Sequence, residues 1–330
     1  MKRIVHSTEA AASISGCMEG GPCLVYGHKA PDLDAVASSV AYASLMRSLG
    51  YDCEARLAGA ANRESELAGS IFGFSLPPVQ AFVPRGSRLI LTDHSEYAQS
   101  VDGAREASIR QLIDHHAPGD IDRDAVPFVR TAPVGASSTL VWELFSETGT
   151  GLDRQTAGLL LSGILSDTHK LSKQGTGPRD IRAFGALSSM LGLGGMAIDG
   201  IFTRLREASR DYAGMSDAEV FLHDCKSYEM CGRKMRVASM DWDSPSGTDE
   251  FIDRMLGAMA DLAEDGEMLF AKVDLGTGGC CVLYSGDDAG TVAGRAFGAP
   301  VREGVCFSER KLNRKLHIVP MLAAAMQETI

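Results

Sequence analysis

Apolar residues over about the first 200 positions fall into two alternating kinds of run. Short stretches, Leu24-Val25-Tyr26, Arg88-Leu89-Ile90-Leu91-Thr92 and Ile109-Arg110-Gln111-Leu112-Ile113, read as strands. Longer stretches with helical spacing run from Ala35 to Leu49, Ser137 to Glu147 and Arg154 to Leu165. This alternation predicts an α/β fold on a mainly parallel sheet, because parallel neighbours need a long crossover and a helix supplies one. Gly192 to Gly195 reads as a loop, with a further helical pattern after it.

From about Asp211 the pattern changes. Lys234 to Met240, Met268 to Asp274 and Cys280 to Tyr284 read as strands, with Phe251 to Leu262 as a helix among them. This predicts a smaller α+β domain. The expected division is residues 1–207, a linker at 208–215 and residues 216–330, with the joint between Leu205 and Met215. A length of 330 residues accommodates two such domains, and 45% hydrophobic content can fill two cores.

No apolar run approaches the ~20 residues of a membrane span, and Met1 to Gly21 holds no continuous apolar stretch of the kind a signal peptide needs. A cytoplasmic protein with no membrane partner is expected. The net charge of -11 argues against nucleic acid as the main partner. It leaves a small anionic substrate open, because bound metal ions set their own local field. The eight cysteines (17, 23, 53, 225, 231, 280, 281 and 306) form no C-x-x-C pair and read as free buried thiols.

The chemistry lies where the strands end. The first runs into Gly27-His28-Lys29-Ala30-Pro31-Asp32-Leu33-Asp34, the second into Asp93-His94-Ser95-Glu96, and the third into Asp114-His115-His116. Asp167 follows the apolar run Leu159 to Leu165. In a parallel sheet the C-terminal strand ends share one edge, and ligands bind there. One Asp after a strand is usually a helix cap or turn residue, and a lone His pair means little. Three His/Asp clusters at successive strand ends are a different observation. Imidazoles and carboxylates together suit a divalent ion such as Mn²⁺. Two ions ~3.5–4 Å apart would relieve the carboxylate repulsion and could clamp both oxygens of an in-line phosphoryl displacement. His6, His169, His223 and His317 lack such a setting, and His94 is divided between supporting the cluster and a structural role.

These motifs resemble the signature of the DHH phosphoesterase superfamily, and within it the family II manganese-dependent inorganic pyrophosphatases. Residues 27–34 match with Ala30 in place of Asn and Leu33 in place of Thr, and Asp93-His94-Ser95-Glu96 matches with Ser95 in place of Asn. Asp114-His115-His116, Ala132-Pro133-Val134-Gly135 with Ser138-Thr139, and Ile164-Leu165-Ser166-Asp167-Thr168 continue the likeness. Asp224-Cys225-Lys226, Asn313-Arg314-Lys315 and Ile318-Val319-Pro320 carry it into the second domain, of the DHHA2 type. The resemblance implies one metal on His28, Asp32 and Asp93, and another on Asp34, Asp93, His115 and Asp167, with Asp93 bridging. It implies His116 as proton donor or phosphate contact, and Lys226, Arg314 and Lys315 as phosphate ligands across an interdomain cleft. Pyrophosphate hydrolysis by a metal-bridged hydroxide is the implied activity. The implied cofactors are two Mn²⁺ ions, or Co²⁺, with Mg²⁺ accompanying the substrate, and the implied assembly is a homodimer through the first domain.

One segment departs. The family carries a Ser-Pro-Thr loop after the equivalent of Asp167, and here residues 169–180 read His-Lys-Leu-Ser-Lys-Gln-Gly-Thr-Gly-Pro-Arg-Asp. Lys173 or Arg179 is a candidate added cation. The departure keeps two further readings open: an exopolyphosphatase or nucleotide phosphodiesterase, and a non-catalytic phosphate or nucleotide sensor. The complete ligand set argues against the sensor.

Overall fold

The computed structural model describes residues 14, 18, 20–173, 175–242, 247–275 and 279–327, so His6 and Cys17 lie outside the described residues. The chain separates into two compact units, Met1–Ser209 and Arg210–Ile330.

The first unit runs β1 (Cys23–Tyr26), α1 (Leu33–Ser48), β2 (Cys53–Arg56), α2 (Arg63–Phe72), β3 (Arg88–Thr92), β4 (Ser108–Asp114), β5 (Phe128–Thr131), α3 (Ser137–Thr148), α4 (Arg154–Asp167), α5 (Pro178–Leu191) and α6 (Gly195–Ser209). The strand order is β2-β1-β3-β4-β5, with every pair parallel. Side chains alternate across this sheet with the period of two that a strand imposes. Val25, Ile90 and Ile113 join a core with Leu140, Leu144, Leu160 and Ile164 of the helices. Tyr26, Leu89, Leu91 and Leu112 face the other way, onto Val83, Val101, Ile121 and Val126 of the connecting loops. Because β1 pairs with β2 on one side and β3 on the other, the order of winding reverses there. The crevice at the C-terminal ends of β1 and β3 is therefore the topological switch point where open α/β sheets bind ligands.

The second unit runs α7 (Asp217–His223), β6 (Cys225–Met230), β7 (Arg233–Trp242), α8 (Thr248–Leu262), β8 (Glu267–Leu275), β9 (Cys280–Gly286), α9 (Ala289–Phe297), β10 (Val305–Ser308), a π-helical turn at Arg314–Ile318 and α10 (Val319–Gln327). Its sheet is mixed, in the order β10-β9-β8-β7-β6, and only β7 and β8 are parallel, joined by α8. Apolar layers cover both faces: Ala238, Leu269 and Ala271 on one, Val237, Phe270 and Val282 on the other.

All described cysteines are free; five are buried and Cys225 is half-buried, but Cys231 is exposed. That corrects the expectation of buried thiols. Met230 pairs with Arg233, so Cys231 and Gly232 form a two-residue hairpin turn with φ of 51° and 71°. Such a turn projects its side chains into solvent. No single described helix is long and apolar enough to cross a membrane.

Candidate metal centre

Leaving β1, the chain turns at Gly27, where a Cβ would stand 2.7 Å from the backbone oxygen of Ala35. This close approach lays the His28 loop against the start of α1. Asp32 caps that helix, its Oδ1 accepting from Ala35 N at 3.0 Å, while its Oδ2 lies 3.3 Å from His28 Nε2. The capping role and the candidate ligand role are thus filled by different oxygens of one carboxylate. Asp34, in the first turn of α1, accepts from Ser137 N at 2.6 Å and Ser138 N at 3.0 Å. The first-turn amides of α3 are clasped by a carboxylate from another helix, since Ala136 offers no capping side chain. Gly163 of α4 lies so close that a Cβ there would meet Ser138 Oγ at 2.4 Å and Asp34 Oδ1 at 2.9 Å.

Asp93 follows β3 with φ of 62°, a left-handed conformation that Asp tolerates better than most residues and that often marks a functional position. Its Oδ2 faces His28 Nε2 at 3.5 Å and its Oδ1 faces His115 Nε2 at 3.3 Å, also accepting from Ser137 Oγ at 3.0 Å. Asp167 ends α4, and its Oδ2 is 3.2 Å from His115 Nε2. The sets His28/Asp32/Asp93, Asp34/His115/Asp167 and Asp93/His115/His116 each bring potential ligand atoms within 4.8 Å of one another, a geometry that could hold metal ions. All six residues read from the sequence as metal-binding, and His116, therefore meet in one place.

The surrounding hydrogen bonds orient these groups. His115 Nδ1 lies 2.8 Å from Val134 O, which can only accept, so Nδ1 carries a proton and Nε2 is the ring atom turned to the cluster. His116 Nδ1 is 2.7 Å from Asp114 Oδ1. Burial opposes ionisation of Asp114, but the His116 charge and hydrogen bond, with His115 beyond, hold its carboxyl well below the usual range. Burial first, then the charges of Asp93 and Asp167, push Asp34 up to about 7. His94 is a buried strut, with Nδ1 2.9 Å from Thr92 O and Nε2 2.8 Å from Ser100 Oγ; burial pushes it down to about 4.

Sequence reasoning missed several supporting groups. Asp114 and Ser137 stood inside or beside quoted motifs, but nothing in their spacing showed what they would hold. Glu64 of α2 gave no signal at all. It is buried, and burial pushes it up to about 8. Asp180 is buried and braces the region, accepting from Gly135 N at 2.9 Å, Thr139 Oγ1 at 2.7 Å and Gly177 N at 2.8 Å.

In the segment after Asp167, His169, Lys170 and Leu171 all have positive φ, at 47°, 53° and 65°. Of the two cations suggested there, Lys173 reaches the centre, with Nζ 3.2 Å from Asp167 Oδ1. Arg179 does not fill that role; its Nε donates to Glu143 Oε1 at 2.7 Å, drawn to an acid on α3. In the second unit Lys226 is buried on β6. Arg314, also buried, donates to Asp224 O and Asp224 Oδ1, both at 2.7 Å, and to Val237 O at 3.4 Å; Lys315 follows it, half-buried.

The parallel sheet with His/Asp clusters at its strand ends defines a DHH-type domain, and the DHH family, N-terminal domain, matches residues 22–164. A probable manganese-dependent inorganic pyrophosphatase of Lactobacillus delbrueckii subsp. bulgaricus is 32% identical over 309 residues, covering 92% of this chain and 98% of the relative. One of Streptococcus mutans is 29% identical over 304 residues, covering 91% and 97%. The chain belongs to the family of manganese-dependent inorganic pyrophosphatases. Its fold matches that of a Methanococcus jannaschii protein assigned to the family II inorganic pyrophosphatases, with a TM-score of 0.80 at 24% identity over 92% of this chain and 99% of the other.

Proposed function

We propose that this protein hydrolyses inorganic pyrophosphate to two phosphates at a dinuclear Mn²⁺ centre. The observation that carries the reading is Asp93, which turns one oxygen toward His28 and the other toward His115. One ion would be held by His28, Asp32 and Asp93, the other by Asp34, Asp93, His115 and Asp167. The donor set fits divalent ions, since imidazole and carboxylate suit Mn²⁺ and Co²⁺. Burial first, and then the charges of Asp93 and Asp167, push Asp34 up, a strain that bound cations would relieve. When bound, such ions supply Lewis acidity toward phosphate oxygens and a lowered pKa for water.

The chain's own groups orient and exchange protons around that chemistry. Ser137 and the α3 amides fix the Asp93 and Asp34 carboxylates. With Nδ1 of His116 committed to Asp114, Nε2 is the atom that would share a proton with the substrate or contact a phosphate oxygen. Lys226, Arg314 and Lys315 are the further phosphate contacts of this reading, and with Mg²⁺ accompanying the substrate they would balance the remaining phosphate charge. The rebuilt segment after Asp167 supports a second reading, in which longer phosphoanhydrides are also taken.

Loading with Mn²⁺, metal analysis and a substrate panel test both readings. Two ions per chain, loss of activity on chelation and preference for pyrophosphate over tripolyphosphate and nucleotides are expected. A stoichiometry that stays at one or below sinks the dinuclear centre, and preference for tripolyphosphate transfers the assignment to the second reading. We place the enzyme in the cytoplasm as a homodimer through the first unit, where β5 forms a half-buried sheet edge. Light scattering at micromolar concentration should return twice the chain mass, and a monomer would rule the dimer out.

A further inference from the structure

We propose that Lys173 is a substrate-binding residue that contacts the substrate phosphate bound beside Asp167, an inference that rests on the phosphohydrolase reading above. The two oxygens of Asp167 have separate surroundings. Oδ2 lies 3.2 Å from His115 Nε2 and belongs to the donor cluster, whereas Oδ1 lies 3.2 Å from Lys173 Nζ. The ammonium therefore stands just outside the ligand shell.

The segment carrying Lys173 is a built mount. Three successive left-handed residues, His169 to Leu171, turn the chain back on the end of α4. That conformation is costly for non-glycine residues and persists where its surroundings enforce it. Leu171 N donates to Thr168 Oγ1 and Lys173 N to Thr168 O, both at 2.9 Å. Leu171 packs on the first unit's core, and Lys170 Nζ is anchored to Asp199 Oδ1 at 2.6 Å. The backbone is thus pinned, while the Lys173 side chain remains a quarter exposed.

Charge decides what the ammonium does. Beside the clustered carboxylates of Asp32, Asp34, Asp93 and Asp167 it offsets part of their charge. Once Asp167 shares its charge with a divalent ion, the ammonium is repelled by that ion and its best partner becomes an anion held at the same place. A four-carbon stem lets Nζ make that move without the loop shifting. An orienting strut would behave differently, since it would stay on Oδ1 and strengthen metal binding.

The test compares wild type, Lys173→Met and Lys173→Arg by calorimetry and kinetics. Apo protein is titrated with Mn²⁺, and Mn²⁺-saturated protein with imidodiphosphate, a non-hydrolysed analogue; KM and kcat are measured on pyrophosphate. Lys173→Met should weaken imidodiphosphate and raise KM by about 10- to 100-fold, the worth of one charge-assisted hydrogen bond, with Mn²⁺ affinity undiminished. Lys173→Arg should recover most of the loss. A 10- to 100-fold fall in Mn²⁺ affinity with unchanged imidodiphosphate binding at saturating metal would make Lys173 a strut for Asp167 and overturn the proposal. No change in either quantity would overturn it too. An active wild type beside an unaffected Lys173→Met defeats only this inference, whereas a wild type inert toward every anhydride defeats the parent reading.

Discussion

Asp93→Asn should lower kcat/KM on pyrophosphate by about 10³ or more and reduce bound Mn²⁺ from two ions per chain to one or none. The substitution keeps the shape of the side chain, and Oδ1 can still accept from Ser137 Oγ, which in the native protein lies 3.0 Å away. What it removes is the charge, together with one of the two oxygens that face His28 and His115. An amide nitrogen cannot serve as the second donor, so the link between the clusters is cut. The thermal midpoint supplies a second sign. Asp93 is among the charges that push Asp34 upward. The metal-free variant should therefore melt no lower than metal-free wild type, while gaining much less from added Mn²⁺. Metal analysis, steady-state kinetics and melting curves with and without Mn²⁺ check all three points. Two ions retained with kcat/KM within tenfold of wild type would end the bridging assignment.

Lys315→Ala and Arg314→Ala should each cost about 10²–10³ in kcat/KM and leave both ions bound, because one charge-assisted phosphate contact is worth about 2–4 kcal/mol in the transition state. They should differ in stability. Arg314 is already engaged by Asp224, through both its backbone and side-chain oxygens. Removing the guanidinium strands a partly buried carboxylate, at a cost of about 2–3 kcal/mol, below the figure for fully buried pairs because Asp224 is a third exposed. Lys315→Ala should leave the melting midpoint within a degree or two. Denaturation of both variants beside their kinetics separates the effects. Near-native kcat/KM in both would return these side chains to a structural role and require another function for the second unit.

The strands that carry the chemistry were legible because β3 and β4 read as short apolar runs ending in acids and histidines. Strand β2, Cys-Glu-Ala-Arg, was not, because an edge strand need satisfy only one neighbour and so tolerates polar residues. The candidate ligands were legible because metal chemistry restricts the residue types at strand ends. Their supports were not. The Asp34 link to Ser137 spans 103 residues, and Lys173 and Arg179 look alike in one dimension while only one reaches Asp167. Asp32 shows why motif reading needs both interpretations at once: its two oxygens fill the ordinary role and the special one.

The amides of Ser137 and Ser138 bond to Asp34 across 103 and 104 positions of chain. A nascent polypeptide that has formed only its local helices owns fragments of the cluster, such as the His28–Asp32 pair four residues apart, which would hold a divalent ion weakly. The full donor set exists only when the distant segments have docked, so a metal bound by all of it would favour the completed fold. At a free concentration a hundredfold above the dissociation constant, each ion adds about 2.7 kcal/mol to the native state by mass action. Manganese supply would then govern how long the protein survives proteolysis in the cell, as well as how fast it turns over substrate.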